Sequence, residues 1–167
     1  MSLIVIALER ETPVLVSNNV RLTMIGDFDR MPREAMERLD KCMELTAGCT
    51  GLQLTLALSY SSRWEIARAT RLLAEEVAKG TISPEEITDE MFAARLSTAG
   101  MPDPDLMIRT GGDERVSNFL LWQIAYSELY FTDVFWPDFT PERFYEAILA
   151  YQGRERRFGL TSEQIKS

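Results

Sequence analysis

Apolar positions along this chain fall into two kinds of run, one of period two and one of helical period, and the two kinds take turns. Residues 3 to 17 fit either a helix or a buried strand by periodicity, and the charged trio Glu9-Arg10-Glu11 in the middle favours the helix. Val20 to Ile25 (VRLTMI) alternates and runs into Gly26-Asp27, a strand ending in a turn. Pro32 opens a helix with Met36, Leu39 and Met43 along one stripe, stopping near Gly48. Leu52 to Tyr60 (LQLTLALSY) reads as a second strand, apolar enough to be covered on both faces. Arg63 to Lys79 is the next helix, with Ile66, Leu73 and Val77 on one face and Gly80 as its stop. Ser83-Pro84-Glu85-Glu86 carries a cap, a first-position proline and a returning glutamate, so a short helical pair is expected up to Gly100. Asp105 to Arg109 (DLMIR) is a short third strand, and Ser117 is placed to cap a helix beginning at Asn118. Thr140-Pro141-Glu142 starts the last helix, which should turn Phe144, Ile148 and Tyr151 inward.

Strands and helices in alternation define the fold class as α/β, a largely parallel sheet flanked by helices, with residues 1–167 forming a single domain. In such sheets ligands bind beyond the carboxyl ends of the strands. That rule singles out Tyr60-Ser61-Ser62-Arg63 and the loop from Arg109 to Ser117.

The net charge of −8 argues against non-specific nucleic-acid binding, so an anionic ligand has to be held by a local cluster of cations. With two cysteines, Cys42 and Cys49, and no histidine, neither a zinc site nor an imidazole base is expected, and the thiols read as reduced. The apolar start (SLIVIAL) lacks a positive flank and is too short to cross a bilayer, so a cytoplasmic location is expected.

The loop Arg109-Thr110-Gly111-Gly112-Asp113-Glu114-Arg115-Val116-Ser117 holds the candidate chemistry. Guanidinium forks at Arg109 and Arg115 match phosphate oxygens two at a time, and a helix end at Ser117 would add free N–H groups and its dipole. No Gly-Lys-Ser/Thr follows the glycines, so this is not a P-loop. The competing reading is a plain glycine turn with solvated arginines. From Val116 to Thr132 the only charged residue is Glu128, and an acid in apolar surroundings needs a partner. That partner would be Mg²⁺ beside a diphosphate, or a structural arginine such as Arg63 or one from the tail.

Three stretches carry a specific resemblance: Pro104 to Gly112 (PDLMIRTGG) with Arg115-Val116-Ser117-Asn118-Phe119, Trp122 to Phe131 (WQIAYSELYF), and Trp136-Pro137. Together they closely resemble the cis-prenyltransferases, and the resemblance extends to Ile25-Gly26-Asp27, Tyr60 to Arg63 and the tail from Arg154 to Gly159. Ser61-Ser62 stand where relatives often carry Gly-Gly.

The resemblance implies a transferase that condenses isopentenyl diphosphate onto an allylic (farnesyl) diphosphate. Its product would be a long cis-polyprenyl (undecaprenyl) diphosphate, the lipid carrier for cell-wall polymers. It implies Mg²⁺ as cofactor, with Glu128 as a metal ligand. Arg109, Arg115 and Ser117 would grip the diphosphate of isopentenyl diphosphate, with Val116 contributing its backbone. A homodimer is implied, with Arg157 and Gly159 reaching into the partner's site, together with a transient membrane contact for product release. The strand Leu52 to Leu58 would wall the growing chain. The family's amino-terminal third, whose aspartate loop binds the allylic diphosphate and completes the magnesium site, has no counterpart in these residues. The catalytic aspartate is therefore not among them, and the chain by itself is expected to be inactive. The alternative is a non-catalytic partner subunit of a prenyltransferase complex.

Overall fold

A parallel pair of strands joined through a helix organises the first part of the chain. The structure, a computed structural model, describes residues 3–155. It divides into two compact units, Met1–Gly100 and Met101–Ser167. In the first unit α1 (Leu3–Ser17) leads into β1 (Arg21–Ile25), α2 (Arg33–Thr46), β2 (Gln53–Ala57), α3 (Ser62–Ala78) and the short α4 (Asp89–Ala93). β1 and β2 run parallel, with Arg21 opposite Gln53 and Ile25 opposite Ala57, so α2 is their crossover. The facing hydroxyls of Thr23 and Thr55 lie 2.7 Å apart, a cross-strand hydrogen bond in register.

The core of this unit gathers Val5, Leu8, Leu22, Ala35, Leu39 and Cys42. α1 is a helix, as its charged trio suggests, and it tolerates Pro13 in its interior. Glu9 on α1 accepts from the Arg38 guanidinium on α2, and that bond holds the Glu9 carboxyl below the usual carboxylate range. Thr46 is fully buried; its hydroxyl accepts from the Leu22 N–H at 3.1 Å and reaches the Cys42 carbonyl at 3.2 Å. The side chain thereby satisfies a strand donor that no neighbouring strand takes.

Several faces differ from the periodic reading. α2 buries Ala35, Leu39, Cys42 and Thr46, while Met36 and Met43 only flank that stripe. α3 buries Ser62, Glu65, Ala69 and Leu73, which rotates the inward face away from Ile66 and Val77. β2 is not covered on both faces: Leu54, Thr55 and Leu56 are half-buried, and Leu52 is 69% exposed. The Ser83 capping box closes a single 3₁₀ turn, and α4 then starts under its own cap, Thr88.

The second unit contains β3 (Leu106–Arg109), β4 (Glu128–Phe131) and α5 (Pro141–Gln152). β3 and β4 are parallel, with Leu106 opposite Glu128 and Arg109 opposite Phe131. β4 is a strand that the sequence pattern did not reveal, and the helix expected from Asn118 does not form. Ser117, Asn118 and Leu120 have φ of 52°, 61° and 48°, the left-handed region, which a right-handed helix start excludes. The connection to β4 is therefore a succession of turns. α5 buries Ala147, half-buries Ile148 and Tyr151, and leaves Phe144 46% exposed rather than inward. Both cysteines are free thiols. Among the described residues no helix is long and apolar enough to cross a membrane.

Gly26 ends β1 at φ +135°, and a Cβ there would stand 1.8 Å from the Leu58 carbonyl oxygen. Gly26→Ala is expected to cost about 3 kcal/mol of stability through strain and overlap. Urea unfolding measures it, and an unchanged midpoint would contradict the close crossing of the two strand ends.

Candidate functional site

Strand pairing sets the position of the arginine loop. Arg109 is the last residue of β3, opposite the last residue of β4, so its side chain leaves the sheet at the carboxyl end. Gly111 and Gly112, at φ 89° and 80°, turn the backbone back. Their N–H groups donate to the carbonyls of Val134 (2.9 Å) and Thr132 (3.0 Å), fastening the loop to the segment leaving β4. These two amides are thus spent on the fold and do not face a ligand.

The side chains of the loop converge. Arg109 Nη1 donates to Ser117 Oγ at 2.7 Å and to the Arg115 carbonyl, and its Nη2 donates to Asp113 Oδ2 at 2.7 Å. Arg115 Nη2 lies 2.7 Å from Asp113 Oδ1 and 2.8 Å from Oδ2. Three of the sequence candidates, Arg109, Arg115 and Ser117, are therefore gathered at one strand end, with half-buried Val116 between the last two. Asp113, which sequence reasoning passed over, joins the two guanidiniums. Its signal was the position of an acid between two arginines across a glycine turn. Arg109 is 23% exposed and Arg115 68%, so one fork is seated and the other faces solvent.

Glu128 lies elsewhere. It opens β4 opposite Leu106, three residues from the strand end that carries Arg109, a separation of about 10 Å along the strand. Its Oε2 accepts from Arg154 Nη1 at 2.8 Å, and the same nitrogen donates to the Leu129 carbonyl at 3.0 Å. Of the two partners expected for this acid, the structure shows the tail arginine. Among the described residues no group of three or more metal-ligating side chains exists. Mg²⁺ takes one or two carboxylates together with phosphate oxygens and waters, so Glu128 fits as one such ligand and would give up its bond to Arg154 to become it. Arg157 and Gly159 lie outside the described residues.

The other strand exit flagged by the pattern, Tyr60 to Arg63, serves α3. Ser61 caps that helix by accepting from the Trp64 N–H at 3.3 Å. Behind it sits a buried acid in a place the sequence reading did not look. Glu65 is 1% exposed, accepts from the Tyr60 hydroxyl, and takes the Ser97 N–H at 2.7 Å. The signal was available, since the spacing Ser62, Glu65, Ala69, Leu73 puts the acid on the stripe that packs. Beside it, at the carboxyl end of β1, opens a cavity of about 540 Å³ lined by Gly26, Asp27, Trp64, Arg68, Leu96 and Ser97, among others.

The fold is parallel α/β, with paired arginines and a serine hydroxyl at a strand's carboxyl end, a set of donors that matches phosphate oxygens. Comparison with known proteins gives the family. Residues 1–159 match the family described as "Putative undecaprenyl diphosphate synthase". An "isoprenyl transferase" of Porphyromonas gingivalis is 55% identical over 165 residues, which are 99% of this chain and 65% of that protein. Among solved structures, a lavandulyl diphosphate synthase from Lavandula x intermedia in complex with dimethylallyl diphosphate superposes with a TM-score of 0.86 at 31% identity, covering 93% of this chain and 69% of that one. A probable undecaprenyl diphosphate synthase from Campylobacter jejuni gives 0.79 at 36% identity, covering 94% and 71%. The chain belongs to the undecaprenyl diphosphate synthase family of cis-prenyltransferases. It spans slightly less than two thirds of the length of two curated relatives it matches, 65% and 63%.

Glu65→Ala would remove the acceptor of the Ser97 N–H and one of the partners of the Tyr60 hydroxyl, and is expected to cost about 2 kcal/mol. Glu65→Gln, which keeps an acceptor, should cost clearly less. Chemical denaturation of both variants decides; equal losses would mean that the carboxylate's hydrogen bonds contribute nothing.

Proposed function

We propose that the protein is a cis-prenyltransferase that condenses isopentenyl diphosphate onto an allylic diphosphate such as farnesyl diphosphate, extending it to a long cis-polyprenyl diphosphate of the undecaprenyl class. The observation that carries this reading is the convergence of Arg109, Arg115 and Ser117 at the carboxyl end of β3. Family membership supports it, as do the names of the relatives.

In the reaction the homoallylic double bond of isopentenyl diphosphate attacks the first carbon of the allylic partner. The carbon–oxygen bond to the allylic diphosphate breaks, diphosphate leaves with the electron pair, and a proton departs from C2 of isopentenyl diphosphate, between the resulting tertiary cation and the carbon that bears its own diphosphate. Isopentenyl diphosphate keeps its own diphosphate throughout. A fixed grip on that group is therefore a means of aiming the double bond, and orientation of this kind contributes much of a bimolecular rate enhancement. Arg109, seated by Ser117 and the Arg115 carbonyl, is the rigid part of the grip. Arg115 is the exposed fork that closes on the outer phosphate. Val116, between Arg115 and Ser117, would offer its backbone, and Ser117 a hydroxyl donor.

Glu128 would be the carboxylate that holds a divalent ion, exchanging its bond to Arg154 for it, and the ion would supply positive charge to the diphosphate oxygens. A homodimer belongs to the same proposal. Exposed Phe135, Trp136, Tyr145 and Leu149, all in the second unit and each more than 60% exposed, support a protein partner on that side. A cytoplasmic location, with membrane contact only at product release, completes the reading.

Arg109→Ala is expected to weaken binding of isopentenyl diphosphate roughly 100-fold, and Arg115→Ala roughly tenfold, as the loss of charged hydrogen bonds from a seated and an exposed donor implies. Isothermal titration measures both. Unchanged affinity in the Arg109 variant would remove the basis of the proposal.

A further inference from the structure

The carboxylate of Asp113 occupies the spot on which both guanidiniums converge. Its Oδ2 takes Arg109 Nη2 at 2.7 Å, while Oδ1 and Oδ2 take Arg115 Nη2 at 2.7 and 2.8 Å. We infer that Asp113 is a built-in stand-in for the ligand's phosphate: a positioning residue that holds the two forks in their binding arrangement and leaves when the diphosphate arrives. The inference rests on the reading of this loop as a diphosphate site.

Three observations carry it. First, the geometry is that of a shared anion. A carboxylate and a terminal phosphate present the same kind of acceptor oxygens to guanidinium forks, so the arrangement that grips one is prepared for the other. Second, two cations that meet at a point repel unless a negative charge lies between them. Arg109 has two further acceptors, Ser117 Oγ and the Arg115 carbonyl, but neither carries a charge. Asp113 is the carboxylate that touches both. Third, the stand-in can leave. Its side chain is 43% exposed, so rotation into water breaks its contacts with the two arginines, which the incoming diphosphate replaces.

The consequence is competition. The incoming anion exchanges with an internal one, which lowers affinity while keeping the forks aligned before the ligand is bound. Removing the charge with Asp113→Asn lifts the competition and loosens the alignment, and these two effects appear in different measurements.

The test uses inorganic diphosphate as probe, titrated calorimetrically at low and at physiological salt into the unsubstituted chain, Asp113→Asn, Asp113→Glu and Arg109→Ala. Asp113→Asn should bind diphosphate about tenfold more tightly at low salt, with the gain shrinking as salt rises. Asp113→Glu, which restores the charge, should return affinity towards that of the unsubstituted chain. Combined with Arg109→Ala, the Asn substitution should give no gain. Unchanged or weaker binding by Asp113→Asn, while Arg109→Ala still abolishes it, would overturn the stand-in and leave the diphosphate site in place. Retained binding by Arg109→Ala would overturn both. Should the Asn variant fail to fold by circular dichroism, the unsubstituted chain still decides by NMR. Diphosphate must then shift the guanidinium N–H signals of Arg109 and Arg115 together with the Asp113 carboxyl carbon; a carboxyl signal that stays put would refute the exchange.

Discussion

Two like charges meet at one strand end, and they do so because a carboxylate lies between them. The Asp113 bridge between Arg109 and Arg115 is the interaction on which the candidate site depends. Without the bridge Arg115 would be a solvated surface cation, and Arg109 would keep only its uncharged acceptors, Ser117 Oγ and the Arg115 carbonyl. Joined, they form a preformed fork pair whose geometry survives without a ligand. The backbone supports this arrangement through hydrogen bonds of its own, since both loop glycines donate to carbonyls just beyond β4 and fix where the loop turns. The β3–β4 pairing is thus the platform, the glycine turn is the hinge, and the shared acid is the clamp.

The first unit spends its polar groups differently. There, buried Thr46 and Glu65 take backbone N–H groups, of Leu22 and Ser97 respectively, that no strand or helix neighbour satisfies. Each is a structural solution to the cost of an unpaired interior donor. Neither needs a ligand to explain it. The contrast separates a buried acid that holds the fold, Glu65, from an acid that bridges two arginines within reach of water, Asp113.

Much of this was legible in the sequence because it is local. The VRLTMI and LQLTL runs, the Gly80 stop after α3, and the glycine pair after DLMIR all announce themselves within a few residues. The arginine loop could be located by the rule that ligands sit beyond strand ends, and the structure does gather its two arginines and Ser117. What the pattern missed is non-local or conformational. Left-handed backbone at Ser117, Asn118 and Leu120 cancels a helix that composition favours, and no propensity encodes it. ELYF is too short to declare itself a strand until β3 pairs with it. The stripes of α2 and α3 were assigned to the largest apolar residues, whereas packing selected Thr46 and Glu65 through hydrogen bonds that periodicity does not weigh. Glu128 reads in the sequence as an acid in need of a cation, and the fold brings Arg154 to it, a pairing across 26 positions that no local pattern encodes.

A crystal structure of this chain grown with inorganic diphosphate addresses the Asp113 bridge most directly. The phosphate oxygens should lie within hydrogen-bonding distance of Arg109 and Arg115, with the Asp113 carboxylate turned out to solvent. Guanidiniums still closed on Asp113, and the anion bound at another place such as the cavity beside Trp64 and Arg68, would contradict it.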